Sequence, residues 1–369
     1  MVRVLIPTQV NDSHAAVVGK ALRAKGHEAF TWYGADFPTH QRSSIAVCPT
    51  EGLDWRIEGP GLDFVNESFD VVWYRRPTRP VLCEEDGLHS GDLQIARREC
   101  NAFHNALWHL VAPDAFWVNP PNAAERANAK PVQVLEALRT GLSVPPTLFS
   151  NDPEQIRRFI GCYEGAVIYK PFTPGQWKTE DGVAFPFTSE VNLDDLPDDD
   201  VLRLSPGIFQ QKMIKAQELR VTCMGGHVVA AALWPRGGEK SRIDWRVALS
   251  NIKAERTMLP EDVRDRCLAL MRRLGIVFGC FDFILTPEND YVFLEVNEMG
   301  QFLWLDALNP EFMLLDAFCE FLVSRRRDFV WSQSTASVYF NDFNRAALED
   351  VRQDAALHVT HPEYALVAD

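Results

Sequence analysis

Apolar and polar positions along the chain change period several times, and each change marks an element. VRVLIP near the amino terminus reads as a strand, and SHAAVVGKALRAKGHE as an amphipathic helix with Ser13 as N-cap and Gly26 as stop. AFTWYG and FDVVWYRRP read as further strands, and 88–111 as a long helix. The Pro/Asn-rich stretch VNPPNAAERANAK at 118–130 marks a boundary, so residues 1–118 form a small α/β unit. Beyond it the pattern predicts a helix over 123–140, a strand in SVPPTLFS, a helix over 153–161 and a strand in GAVIYKPF. The loop TPGQWKTEDG, a strand in FPFTSEV and the acidic surface connection NLDDLPDDD follow. GIFQQKMI, ELRVTCM and HVVAAALW are closely spaced strands, and LPEDVRDRCLALMRRLG is a strongly amphipathic helix with Gly275 as stop. FGCFDFILT and DYVFLEVN form a hairpin around PEN, and a last helix covers 310–325. The fold class is α/β, of the α+β kind.

Composition narrows the setting. Of 369 residues, 46% are apolar and 24% charged, which is ordinary for globular domains. No apolar run approaches the ~20 residues of a membrane span, and the amino terminus lacks a signal-peptide pattern, so no membrane partner is expected. The eight cysteines are dispersed without a C-x-x-C, which points to reduced thiols and a cytoplasmic protein. A net charge of −14 argues against nucleic acid. No G-x-G-x-x-G follows the first strand. His358 and His361 share a helical spacing but have no further ligands nearby in sequence. Residues 331–369 form a tail of uncertain order, read first as simple packing or disorder; DFNRAALEDVRQDAALHV within it has helical spacing and suits a docking helix, or a peptide-like segment for the chain's own peptide site.

Polar residues inside apolar strands carry the candidate chemistry. FLEVNEMGQFLWLD at 293–306 holds Glu295 and Asn297 two residues apart, hence on one strand face. Asp282 lies on the preceding strand, and together the three offer oxygen ligands to Mg2+. A buried acid satisfied by an arginine or by backbone is the alternative. Lys170 ends an apolar strand before a loop with Gly175 and Gly182, as a phosphate-directed charge or as an edge lysine whose stem snorkels. In FQQKMIKAQELRV, backbone groups from Lys212 to Ile214 suit a purine edge, and Glu218 and Arg220 share a face; a plain charged surface strand would look similar. Arg246, ending IDWR, suits charge on a transferring phosphate.

The order Lys130, Lys170, the 211–214 connector, Glu218 and Arg220, Arg246, then Asp282, Glu295 and Asn297 resembles the ATP-grasp superfamily over roughly 119–325. WYRRP at 73–77, FQQKMIKAQELRVT at 209–222, IDWR at 243–246 and FLEVNEMGQFLWLD at 293–306 resemble, more narrowly, the microviridin-type ligases, or graspetide synthetases. That resemblance implies an N-terminal pre-ATP-grasp domain (1–118), a central subdomain (119–200), a C-terminal subdomain with the metal site (201–330) and the tail. It departs at Glu298 and Phe302, where members often carry Pro and Trp, and this places the change at the acceptor-side pocket.

The implied enzyme is an ATP- and Mg2+-dependent ligase. It activates Asp or Glu side chains of a ribosomally made precursor peptide, leader plus core, as acyl phosphates and joins them to Ser or Thr hydroxyls or Lys amines. The resemblance assigns α/β-phosphates to Lys130 and Lys170, adenine to Gln211, Lys212 and Ile214 and the nucleotide site to Glu218. It gives the γ-phosphate and acyl phosphate to Arg220 and Arg246, and the metal to Asp282, Glu295 and Asn297. Arg75 and Arg76 suit an acidic peptide or a brace between domains. A homodimer is the assembly the resemblance suggests. The competing readings are an ATP-grasp carboxylate–amine ligase acting on an amino acid or protein tail, and a regulatory nucleotide-binding protein without catalysis.

Overall fold

The structure, a computed structural model, describes residues 1–82, 89–173, 177–179, 182–184, 188–235, 252–333 and 336–361. Its first elements are β1 (Arg3–Thr8), α1 (Ser13–Ala24), β2 (Glu28–Tyr33), β3 (Arg42–Cys48), β4 (Gly52–Gly59), β5 (Leu62–Val65), β6 (Val71–Trp73), α2 (Ser90–Leu110) and β7 (Phe116–Val118). Four of the strands pair in parallel in the order β2-β1-β6-β7. Asp12, rather than Ser13, caps α1: its Oδ1 accepts the N–H groups of His14 and Ala15 at 3.1 and 3.3 Å. The antiparallel meander β3-β4-β5 is not visible in the hydrophobic pattern. Only one face of it is buried, through Trp55, Ile57 and Phe64, and the rest reads as polar loop.

The helix expected over 123–140 is two helices, α3 (Pro121–Asn128) and α4 (Lys130–Arg139), divided at an extended Ala129. Pro131 explains the break, since it lacks the N–H that an unbroken helix would direct at the Ala127 carbonyl. The Gln133 side chain donates to that carbonyl instead, and also grips the main chain of Val296 through its N–H (3.0 Å) and carbonyl (2.8 Å). Next come β8 (Thr147–Ser150), α5 (Pro153–Cys162), β9 (Val167–Lys170), β10 (Trp177–Thr179), β11 (Gly182–Ala184), β12 (Ser189–Glu190), α6 (Asp199–Leu204) and β13 (Gly207–Gln211). Antiparallel pairing orders them β12-β9-β13-β8, with β10-β11 a separate pair. The acidic run taken as a connection holds a 3-10 turn at Leu193–Asp195 and leads into α6.

The largest sheet is antiparallel. It is built from β14 (Gln217–Met224), β15 (His227–Pro235) and β16 (Ile252–Thr257), then, after α7 (Glu261–Leu274), β17 (Phe278–Leu285) and β18 (Tyr291–Asn297), in the order β16-β15-β14-β17-β18. α7 buries Val263, Cys267, Leu270, Met271 and Leu274 on one face of this sheet and stops at Gly275, whose φ is 83°. The other face divides along its length. At one end Met224, Phe278 and Cys280 share a core with Val4, Ile6 and Trp73 of the parallel sheet, under α8 (Leu303–Leu308) and α9 (Leu314–Ser324). At the other end the same strands present charge. The helix expected over 310–325 begins at Leu314, after a 3-10 turn at Pro310–Phe312, and α8 was not anticipated.

The tail contains α10 (Phe340–Leu357), which packs on α1 and buries Ala347. Asp350 pairs with Lys20 at 2.6 Å, Tyr33 donates to Asp354 at 2.8 Å, and Asp36 holds His358 (2.6 Å) and the Val359 N–H (2.7 Å). Among the described residues no helix is long and apolar enough to cross a membrane.

His104 of α2 is buried among Trp32, Trp108 and Phe37, and neither ring nitrogen has a partner. Burial lowers its pKa to about 4. Between pH 6.5 and 4 the unfolded chain therefore binds a proton that the native state refuses, so this contribution to stability is present at neutral pH and lost as pH falls. His104→Phe should retain wild-type stability at pH 7 and flatten its pH dependence between pH 6 and 5 by roughly 1.4 kcal/mol per pH unit. Urea unfolding at the two pH values checks this.

Candidate active site

Strand register lays the candidate charges in one row. Arg220 on β14 stands opposite Asp282 on β17, which stands opposite Glu295 on β18. Arg220 Nη1 donates to both Asp282 carboxylate oxygens at 2.9 Å, and Lys130, at the start of α4, pairs with Glu295 at 2.7 Å. The break before Lys130 thus delivers its ammonium to the sheet. Asn297 pairs opposite Cys280. A bulge follows Asp282, where pairing steps from Asp282↔Glu295 to Phe283↔Phe293 and leaves Leu294 unopposed. Phe293 and Val296 can then both pack with Phe281 and Phe283 in the α7 core.

Arg220 is only 4% exposed. Burial disfavours its charge, but the Asp282 carboxylate more than offsets this and raises its pKa. Its Nη2 donates to the Gln301 carbonyl at 3.0 Å, while its Nε is buried without a partner. Glu218, on the same strand face, is held through Oε1 by Lys215, and its Oε2 is likewise buried and unpartnered. Gln217 Nε2 is a third such atom. Buried polar atoms without partners are rare, and here the Glu218 acceptor and the Arg220 donor share one strand face, with Gln217 on the other. A polyhydroxylated, phosphorylated ligand would satisfy both kinds.

The connector from β13 to β14 holds Gln211, Lys212 and Ile214. The N–H groups of Gln211 and Lys212 are occupied by the carbonyls of Pro146 (2.9 Å) and Ala166 (2.8 Å), which removes them as base donors. Lys212 also pairs with Glu190, and Ile214 is exposed on the connector. Lys170, at the end of β9, donates to Gln210 at 2.9 Å. Arg246 and the IDWR stretch lie outside the described residues, as does part of the TPGQWKTEDG stretch at 173–182.

Arg75 is a brace. It is 1% exposed, sits 3.1 Å from Asp12 Oδ2 and donates to the carbonyls of Met299 and Gly300. Burial lowers its pKa, and in return its charge is the main influence that overrides burial at Asp12 and holds that carboxyl at about 2. These contacts leave no guanidinium face for a peptide, so the peptide-binding expectation is corrected for Arg75. Arg76 is partly exposed and donates its N–H to Pro7. Phe302 is also corrected: it is fully buried against Phe278, Phe318 and His14, so its departure from the family pattern is a core change and not a change of the acceptor pocket. Glu298 is buried, and burial raises its pKa. Asn119, Gln133 and His14 were missed. Each is a polar residue whose partners are main-chain groups distant in sequence, a pattern that leaves no local signal.

No protein-family model matches the chain, and no curated protein matches it in sequence. Solved structures do resemble it. The macrocyclase MdnC of Microcystis aeruginosa MRC, bound with precursor peptide MdnA, is 29% identical with a TM-score of 0.75, over 87% of this chain and 99% of its own. A RiPP-associated ATP-grasp ligase of Chryseobacterium gregarium, in complex with ADP and a leader and core peptide, is 26% identical with a TM-score of 0.79, over 89% and 99%. This chain is an ATP-grasp ligase. PsnB, an ATP-grasp ligase complexed with a phosphomimetic minimal precursor, Mg and ADP, adds a likeness of fold alone at 21% identity and a TM-score of 0.63, over 88% and 99%.

The ligase's residues fit a hard divalent cation in kind. Asp282, Glu295 and Asn297 are oxygen donors on one face, and the first two are spaced by a single strand pairing. Among the described residues no three His, Cys, Asp or Glu side chains cluster as a metal site, so the set is two carboxylates and an amide. Such a sparse set suits Mg2+, which keeps waters and phosphate oxygens as its remaining ligands.

Asp282 also has a structural duty that Glu295 lacks. Asp282→Ala should destabilise the ligase by about 3–5 kcal/mol, because it leaves the buried Arg220 charge uncompensated. Glu295→Gln, at a pair about a quarter exposed, should cost under about 1 kcal/mol. Denaturant unfolding of the two variants separates these roles.

Proposed function

We propose that this ligase closes rings within a ribosomally made precursor peptide, as a graspetide synthetase. The observation that carries the reading is the row Arg220–Asp282–Glu295–Lys130, with unpartnered acceptor and donor atoms beside it on β14. The likeness to a macrocyclase and to a RiPP-associated ligase, each over nearly its whole length, supports a peptide as substrate.

ATP and Mg2+ are the cofactors. Asp282, Glu295 and Asn297 would hold the cation, which when bound would neutralise charge on the nucleotide's phosphates. An Asp or Glu carboxylate of the peptide attacks the γ-phosphorus, ADP leaves and an acyl phosphate results. Arg220 faces the oxygens on which that charge collects. Arg246 is assigned the same task from sequence. Lys130 and Lys170 bind the α/β-phosphates, and Glu218 takes the donors of the nucleotide on its free oxygen. Ile214 and the carbonyl of Lys212 line the adenine, since the Lys212 N–H is engaged. A Ser or Thr hydroxyl or a Lys amine then attacks the acyl carbon, phosphate leaves, and the proton passes to solvent or phosphate. Ring closure benefits because both groups lie on one chain.

The ligase is placed in the cytoplasm, where the seven described cysteines would remain free thiols as they are here, and in a homodimer. Arg76, with its exposed side, remains a contact for an acidic peptide.

The ligase, ATP, Mg2+ and a candidate precursor peptide carrying Asp or Glu together with Ser, Thr or Lys should yield a product lighter by about 18 Da per ring, one water per condensation, by mass spectrometry. Glu295→Ala should abolish that loss. A gain equal to one amino-acid residue would overturn macrocyclisation in favour of intermolecular ligation.

A further inference from the structure

The turn that follows the metal strand has no regular hydrogen bonding of its own, yet its main chain is held at every step. Asn119 donates to the Glu298 carbonyl at 2.8 Å, and Arg75 donates to the Met299 and Gly300 carbonyls. The Gln301 carbonyl accepts from Arg220 Nη2 and from Trp304 Nε1, each at 3.0 Å. The N–H groups of Phe302 and Leu303 both donate to His14 Nε2, at 3.3 and 3.2 Å. Gly300 has φ 44°, and a Cβ there would fall 2.7 Å from both Cys280 Sγ and the Phe278 ring, so the turn cannot relax toward the sheet.

Three of these clamps, His14, Arg75 and Asn119, come from the first 119 residues, which contribute nothing to the charged row itself. They converge on the segment that supplies one of the two acceptors of the Arg220 guanidinium. Asp282 fixes one edge of that group, and the Gln301 carbonyl fixes another. The next two residues, Phe302 and Leu303, both hang their N–H groups on His14. His14 must accept two N–H groups, which requires a lone pair on Nε2 and therefore a neutral ring. Burial, reinforced by the neighbouring Arg75, keeps it neutral by lowering its pKa to about 3.

We propose that His14 is a positioning residue of the active site: by accepting from Phe302 and Leu303 it sets the Gln301 carbonyl and, through it, the orientation of Arg220 toward the γ-phosphate. The inference rests on the reading of Arg220 as a γ-phosphate contact and goes beyond it by giving the N-terminal unit a part in the chemistry. A guanidinium misaimed by a fraction of its hydrogen-bond length loses the geometry on which its bond to an anion depends.

The test is calorimetric and needs no peptide. Affinities for AMP-PNP and for ADP, each with Mg2+, are measured on the full chain for wild type, Arg220→Lys, His14→Phe and His14→Gln, with His14→Leu replacing the phenylalanine should it fail to pack. A glutamine carbonyl can accept both N–H groups; phenylalanine can only fill the space. The expected result is that wild type and His14→Gln prefer AMP-PNP to ADP. His14→Phe should lose about tenfold of that preference, as Arg220→Lys does, with ADP affinity held within about twofold. If Arg220→Lys keeps the preference, Arg220 does not face the γ-phosphate, and both that reading and the positioning role fall. If Arg220→Lys loses it and His14→Phe keeps it, the positioning role alone is overturned. Equal weakening of both nucleotides, or no rescue by glutamine, would reduce His14 to a packing residue and overturn the proposal.

Discussion

Arg220 and Asp282 face each other on adjacent strands, the arginine buried and the carboxylate partly so, and the arrangement of the site depends on that pair. Two opposite charges at this depth are tolerated only where geometry is good and the remaining donors are satisfied. The bidentate contact meets the first condition and the Gln301 carbonyl part of the second. The donor left over, Nε, points to the need for a ligand. Charge alternation continues outward through Glu295 to Lys130, so each carboxylate of the candidate metal site carries a cation before any metal arrives. A divalent ion held there would share these carboxylates with Arg220 and Lys130, so a bare pair of like charges need not persist.

The same sheet face is apolar at one end and charged at the other because its cover stops partway. α9 and the parallel sheet bury Met224, Phe278 and Cys280, and beyond their reach Arg220, Asp282 and Glu295 occupy equivalent positions on the same strands. The turn from Glu298 to Leu303 lies where the two regimes meet. Its links to Asn119, Arg75 and His14 join the N-terminal unit to the large antiparallel sheet through main-chain groups of the turn and not through its side chains. The ligase's first residues are in this sense structural parts of its site.

Much of this was legible beforehand. Two-residue spacing placed Glu295 with Asn297 and Glu218 with Arg220, and strand order placed Asp282 beside them, because side-chain alternation on strands is a local property. The helix over 261–274 and its glycine stop were equally local. The break at Ala129 was less so. Pro131 signals it, yet the side chain that completes it, Gln133, reaches Val296 across the fold. The meander over 42–65 escaped because strands buried on one face of a small sheet keep too few apolar residues to show a period.

By itself the sequence determined which residues share a face, where most helices stop, and which oxygen and cationic groups the site has at its disposal. It did so because those properties depend on neighbours within a turn or a strand. The tertiary structure decided the partnerships. Arg75 is a buried brace and no peptide contact, Phe302 belongs to the core, the Lys212 N–H is already engaged, and His14 holds a turn nearly 290 residues away. Each of these is a hydrogen bond or a burial across distant segments, and its free energy exists only once the sheets have packed.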